Sequence, residues 1–192
     1  SLPENIGELK NLIDLSLGGN NLTSLPESFG NLTKLTILQL QNNRLTRLPE
    51  SIGKLINLDK LFLQNNSLTS LPESFGDLAK LFWLDIGNNS LTSFPKSMGK
   101  LANLQWLYSY QNKLTSLPPE SINKLVNLPL LWLEISSFQI NNLDPECEFL
   151  IINGLEETLT NLPINLKELY LINPKNDTKT IKIPFGCEII VK

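Results

Sequence analysis

All three tryptophans of this chain and two of its three tyrosines fall at matching places in a repeating frame: Trp83, Trp106, Trp132, Tyr108 and Tyr110. Residues of this kind do no covalent chemistry. They present broad, rigid, amphipathic surface with few rotatable bonds, the property that makes them hot spots of recognition. Phe62 lies at an equivalent place one repeat earlier, and Asp85 and Glu134 flank the group with carboxylates able to pair with basic groups of a partner. The same pattern has a plainer reading. Aromatics that neighbour one another in a parallel ladder stack and stiffen the sheet, and a lone surface acid is usually just solvated. Recognition is the expectation carried forward, because an uncovered aromatic patch is unusual on a monomer.

Other chemistry is thin. The absence of histidine removes the usual general base, imidazole-based triads and most zinc sites. No catalytic residue is assigned and no enzyme is expected. Asp144, Glu146 and Glu148 surround Cys147, but the segment lacks the spaced ligands and central glycine of a calcium loop, so neither metal nor cofactor is expected. Cys147 and Cys187 would bridge near the carboxyl end in an oxidising compartment, or sit as small buried thiols; free thiols are the expectation. An intracellular setting is expected over secretion on that ground. The sequons at Asn21, Asn31, Asn65, Asn88 and Asn176 arise readily in a repeat rich in Asn, Ser and Thr. A net charge of -3, from 16 basic and 19 acidic residues without a basic run, gives no electrostatic footprint for nucleic acid. No stretch approaches the roughly 20 apolar residues of a membrane span.

The frame that positions the aromatics is a 23-residue unit, first read as SLPENIGELKNLIDLSLGGNNLT and restarted at Ser24, Arg47, Ser70 and Ser93. Alternation such as Leu38-Gln39-Leu40 is the two-residue period of a short strand with leucines turned inward. Between strands, SLPESFG and its relatives place a proline where a short helical or 3₁₀ turn begins. A glycine (Gly7, Gly30, Gly53, Gly76, Gly99) follows where positive φ would end that turn. Phe29, Ile52, Phe75 and Met98 should fill the core behind those turns. Asn20, Asn43, Asn66, Asn89 and Asn112 recur where the chain leaves each strand, suited to satisfy backbone donors and acceptors together.

The outward positions of each strand are then free variables. One column reads Asp14, Ile37, Lys60, Trp83, Trp106, Leu130; the next reads Ser16, Gln39, Phe62, Asp85, Tyr108, Trp132; a third reads Gly18, Gln41, Gln64, Gly87, Tyr110, Glu134. The aromatics crowd into repeats three to six. The frame then breaks. Ser109 stands where Leu17, Leu40, Leu63 and Ile86 stand earlier, so a hydroxyl enters the leucine stack and needs a partner. Beyond Thr115 the units degenerate, with Ser136 at the asparagine position, Phe138 replacing a leucine and Pro174 replacing another asparagine. The final IKIPFGCEIIVK reads as a closing strand or hairpin.

On the SLPESIGxLxxLxxLxLxxNxLT wording from Ser1 to Thr115, the chain resembles the leucine-rich repeat superfamily, and its 23-residue form is similar to Ras-group-related scaffolds and to bacterial repeat proteins. NLPINLKELYL, from Asn161 to Leu171, resembles shorter units of bacterial effectors and of amoebal or giant-virus repeat proteins. The resemblance implies an α/β fold, a right-handed leucine-rich repeat solenoid of about eight coils, with a parallel concave sheet and short 3₁₀ or helical turns on the convex side. It covers one domain over residues 1–192, with five regular repeats at 1–115, degenerate repeats at 116–172 and a carboxyl-terminal cap at 173–192. The implied function is a non-enzymatic module that binds a protein through Phe62, Trp83, Asp85, Trp106, Tyr108, Tyr110, Trp132 and Glu134. Two alternatives stand beside it: the substrate-recognition part of a larger enzyme such as a ubiquitin ligase or receptor kinase, and a surface adhesin. The amino-terminal repeat shows no cover for its apolar edge, which leaves dimerisation through that edge open.

Overall fold

The computed structural model describes residues 2–114, 130–134, 149–153, 162, 166–172, 181 and 184–191. Over residues 2–114 a short strand alternates with a 3₁₀ turn, once per repeat. The strands are β1 (Asp14–Ser16), β2 (Ile37–Gln39), β3 (Lys60–Phe62), β4 (Trp83–Asp85), β5 (Trp106–Ser109), β6 (Leu130–Glu134), β7 (Phe149–Asn153), β8 (Glu168–Ile172) and β9 (Glu188–Val191). All nine pair in sequence order in one sheet. β9 lies parallel on β8, not antiparallel as in a hairpin.

Pairing follows the repeat without slippage, as Asp14↔Ile37, Ile37↔Lys60, Lys60↔Trp83 and Trp83↔Trp106 show. A constant repeat length puts like residues side by side, so every leucine column becomes a continuous buried spine. Leu38, Leu61, Leu84 and Leu107 are fully buried, as are Leu40, Leu63 and Ile86 in the adjoining column. On the far side lie the 3₁₀ turns η1 (Glu4–Glu8), η2 (Glu27–Asn31), η3 (Glu50–Lys54), η4 (Glu73–Asp77) and η5 (Lys96–Lys100). Each follows a proline whose ring holds φ near that of the turn, Pro26 at -72° for instance. Phe29, Ile52, Phe75 and Met98 are fully buried behind these turns, as their pattern implied.

The turn glycines serve a different purpose from the one their position suggested. Positive φ among glycines occurs at Gly19 and Gly186, not at Gly7, Gly30, Gly53 or Gly76. A Cβ at Gly53 would strike the backbone and side chain of Ser74 in the next coil, and the other three meet the same obstacle at Ser28, Ser51 and Ser97. Glycine is therefore needed for close approach of successive turns. The left-handed residues sit at the strand exits instead: Gly19 (φ 70°), Asn42 (57°), Asn65 (58°), Asn88 (49°) and Gln111 (50°). Asparagine tolerates that region better than most residues. Its side chains there form a ladder, Asn65 Nδ2 donating to Asn42 Oδ1 (2.9 Å) and Asn88 Nδ2 to Asn65 Oδ1 (2.6 Å).

One residue further on, the expected asparagine ladder ties coils together. Asn89 Oδ1 accepts from Leu68 N–H (3.0 Å), while its Nδ2 donates to the carbonyls of Leu63 (3.1 Å) and Ile86 (3.0 Å). Asn43, Asn66 and Asn112 repeat this arrangement. Asn20, in the first coil, donates only to its own turn, at Leu17 O and Gly18 O. The first coil is also less covered than the four that follow it. Leu9 is 50% exposed and Ile13 57%, and Leu15 and Leu17 are only partly buried where their counterparts in the next coils are sealed.

Near the carboxyl end, Cys187 N–H donates to Pro184 O (3.2 Å) across a turn whose third residue, Gly186, takes φ 83°, leading into β9. Cys187 is a free thiol. Ser136, Phe138, Asp144, Glu146, Cys147, Glu148, Pro174 and Asn176, singled out in the sequence, lie outside the described residues.

Candidate functional site

Strand pairing brings the outward residues of β3–β5 into one cluster. Trp83 and Trp106 pair across β4 and β5, and their rings stack with centroids 5.2 Å apart and planes 19° from parallel. Trp83 also lies 5.3 Å from the ring of Tyr108 and 6.2 Å from that of Phe62, tilted by 36° and 42°. All four rings are half-buried, each covering part of its neighbour. Stacking and availability for recognition therefore coexist. Mutual contact removes rotamer freedom from rings that still show part of their surface, which lowers the entropy lost on binding.

Asp85 sits amid this cluster, paired with Phe62 on one side and Tyr108 on the other. Its Oδ1 accepts the N–H of Gly87 at 3.0 Å. Burial pushes its pKa above the usual carboxylate range, against the lowering effect of that hydrogen bond. The phenols of Tyr108 and Tyr110 are both held above their ordinary values, first by burial and then by the charge of Asp85. Tyr110 lies over Gly87, where any Cβ would collide with its ring. Glycine is thus what lets this aromatic fold down beside the acid. Two costs accompany the arrangement. Trp83 Nε1 is covered and donates to no partner, and beneath the face Ser109 Oγ is fully buried without one.

The other half of the sheet is built differently. Asp14 and Ser16 of β1 are exposed, and Ile37 and Gln39 of β2 are half-buried. Gln41 lays its amide over Gly18, the place taken by Tyr110 and Gly87 further on.

Of the residues expected from sequence, the structure brings together Phe62, Trp83, Asp85, Trp106, Tyr108 and Tyr110. Trp132 takes the register position beside Tyr108, and Glu134 closes the same strand β6. Sequence reading stopped there. Pairing carries the column onward from Trp132 to Ile151, Tyr170 and Ile190. Irregular repeat length hid this run, although the apolar alternation of FLIIN, ELYLI and EIIV was a usable signal.

A strand and a tight turn per coil, one parallel sheet, a buried leucine spine and an asparagine ladder define a leucine-rich repeat protein. The family model described as leucine-rich repeat region matches residues 34–182, and a second leucine-rich repeat model matches residues 3–45. The chain belongs to the leucine-rich repeat family, whose fold generally serves as a non-enzymatic interaction scaffold. No curated protein matches it. Among solved structures it is similar to a leucine-rich repeat protein of Leptospira interrogans, at 26% identity and TM-score 0.55 over 98% of this chain and 70% of the other. It is also similar to the plant peptide hormone receptor RGFR1 in complex with RGF2, at 27% identity and TM-score 0.65 over 90% of this chain and 34% of that one. The PEPR1–AtPEP1 structure matches at 26% identity and TM-score 0.75, over all of this chain and 33% of the other. The chain thus spans about a third of each of those last two chains. Among the described residues no helix is long and apolar enough to cross a membrane.

Proposed function

We propose that this chain binds a protein partner through the open face of β3–β6, centred on Trp83, Trp106, Tyr108 and Trp132, with Phe62, Asp85, Tyr110 and Glu134 around that centre. It performs no catalysis itself. The observation that carries this reading is the half-buried stack of Phe62, Trp83, Trp106 and Tyr108, oriented before any partner arrives. Two structural relatives pair a leucine-rich chain with a second molecule, the peptide hormone receptor RGFR1 with RGF2 and PEPR1 with AtPEP1, which supports a polypeptide as the class of ligand. A second reading keeps the same face but makes it the recognition part of a larger receptor or enzyme. It is favoured by the share of those two chains that this chain spans.

The test is affinity capture with the wild type beside a folded Trp83→Ala, Trp106→Ala, Tyr108→Ala variant and a Gln39→Ala, Gln41→Ala variant, the captured proteins read by mass spectrometry. The reading expects the same protein on the wild type and the glutamine variant and its loss from the aromatic variant. Capture by all three alike would move recognition off this face.

A further inference from the structure

The open face holds a charge without a counterpart. Asp85 is half-buried among Phe62, Trp83 and Tyr108, with the Gly87 amide as its hydrogen-bond donor. Among the described residues no lysine or arginine pairs with it; the ion pair found there is Lys100–Asp77, on the turn side at 3.9 Å. Lys60, on β3 beside Trp83, is the one cation in the outward columns of β1–β5, and it makes no contact with Asp85 that moves its proton affinity. Among the described residues, the desolvation that raises the Asp85 pKa is therefore uncompensated by any positive charge.

Phe62 and Tyr108 flank that acid in register and Trp83 stands two residues before it on the same strand, and the negative faces of aromatic rings attract a cation as a carboxylate does. The two attractions point to one occupant. A guanidinium fits better than an ammonium, because its plane lies flat on Trp or Tyr while its N–H fork meets a carboxylate. Resting on the binding face proposed above, we propose that the Asp85 site receives an arginine side chain of the partner, held between the Trp83–Tyr108 rings and the Asp85 carboxylate. The partner's basic residue would compensate the desolvated charge, and Tyr110, folded over Gly87, walls the site on its far side.

The test needs no knowledge of the partner. N-acetyl-arginine amide and its neutral isostere N-acetyl-citrulline amide are titrated separately into the whole chain, with the tryptophan indole N–H signals followed by NMR. The expected result is a saturable shift with the arginine probe about tenfold tighter than with citrulline. That preference disappears in Asp85→Asn, which keeps an acceptor for the Gly87 N–H, and survives in Asp77→Asn. Equal affinity for the two probes, no saturable shift with the arginine probe, or a preference untouched by Asp85→Asn overturns the arginine site. Each of those results leaves the aromatic face standing as a protein-binding surface, since that reading falls only if the aromatic variant above still captures its partner.

Discussion

The two halves of one sheet face share a scaffold and differ in what they display. From β1 to β2 the outward residues are Asp14, Ser16, Ile37 and Gln39; from β3 to β5 they include Phe62, Trp83, Trp106 and Tyr108. From β2 onward the same leucine columns and the same asparagine ladder run beneath both, with the first coil, at Leu15, Leu17 and Asn20, less sealed. The contrast teaches that in this architecture stability is held by the invariant columns, leaving outward positions free to vary at little structural cost. Both halves carry polar penalties: a covered, unpaired Gln41 Oε1 in the polar half, and in the aromatic half a covered, unpaired Trp83 Nε1, a buried Ser109 hydroxyl and a desolvated Asp85.

The contrast breaks most severely if the shared floor is removed. Leu84→Ala, at a fully buried site below both tryptophans, should cost about 2–5 kcal/mol in urea denaturation, an effect on the whole array rather than on one face. Asn89→Ala should cost about 1–3 kcal/mol by stranding Leu68 N–H and two carbonyls. Asn20→Ala, whose partners lie in its own exposed turn, should stay within about 0.5 kcal/mol by the same assay. Equal losses at the two asparagines would contradict the account of the ladder.

Smaller effects sharpen the difference between the halves. Ser109→Ala removes a buried hydroxyl that has no partner and should raise stability by about 1 kcal/mol, whereas a loss would reveal a bond this account denies. Asp85→Asn should raise the melting temperature slightly at neutral pH. The sign follows from the raised carboxyl pKa: the folded state holds the proton more tightly than the unfolded one. The stabilising contribution is therefore complete below the unfolded pKa and is lost as pH rises through the folded value. Thermal melts of both proteins across that acid range should converge at low pH and separate at neutral pH.

Much of this was legible in the residues. Constant spacing fixed the register, so the columns Trp83–Trp106 and Asp85–Tyr108–Trp132 could be written down before any coordinate, as could the roles of Asn43, Asn66, Asn89 and Asn112. What escaped were properties of contact between coils. Gly53 and its equivalents looked like turn glycines because a sequence shows a turn but not the Ser74 backbone pressed against it. The left-handed row of Gly19, Asn42, Asn65, Asn88 and Gln111 mixes three residue types and stands directly before the structural asparagines, so its own signal is masked by theirs. Ile151, Tyr170 and Ile190 were missed because unequal coil lengths dissolve the spacing that made the earlier columns visible. Ring stacking, and with it the extent to which the aromatics cover one another, depends on side-chain rotamers that no spacing encodes.

The most direct test of the central contrast is the affinity of the captured partner for two folded single variants, Trp106→Ala and Gln39→Ala, by calorimetry beside the wild type. The account expects Trp106→Ala to lose about 2 kcal/mol of binding free energy, roughly a thirtyfold weaker Kd, with Gln39→Ala within about 0.5 kcal/mol of the wild type. Equal losses, or a larger loss at Gln39, would contradict it.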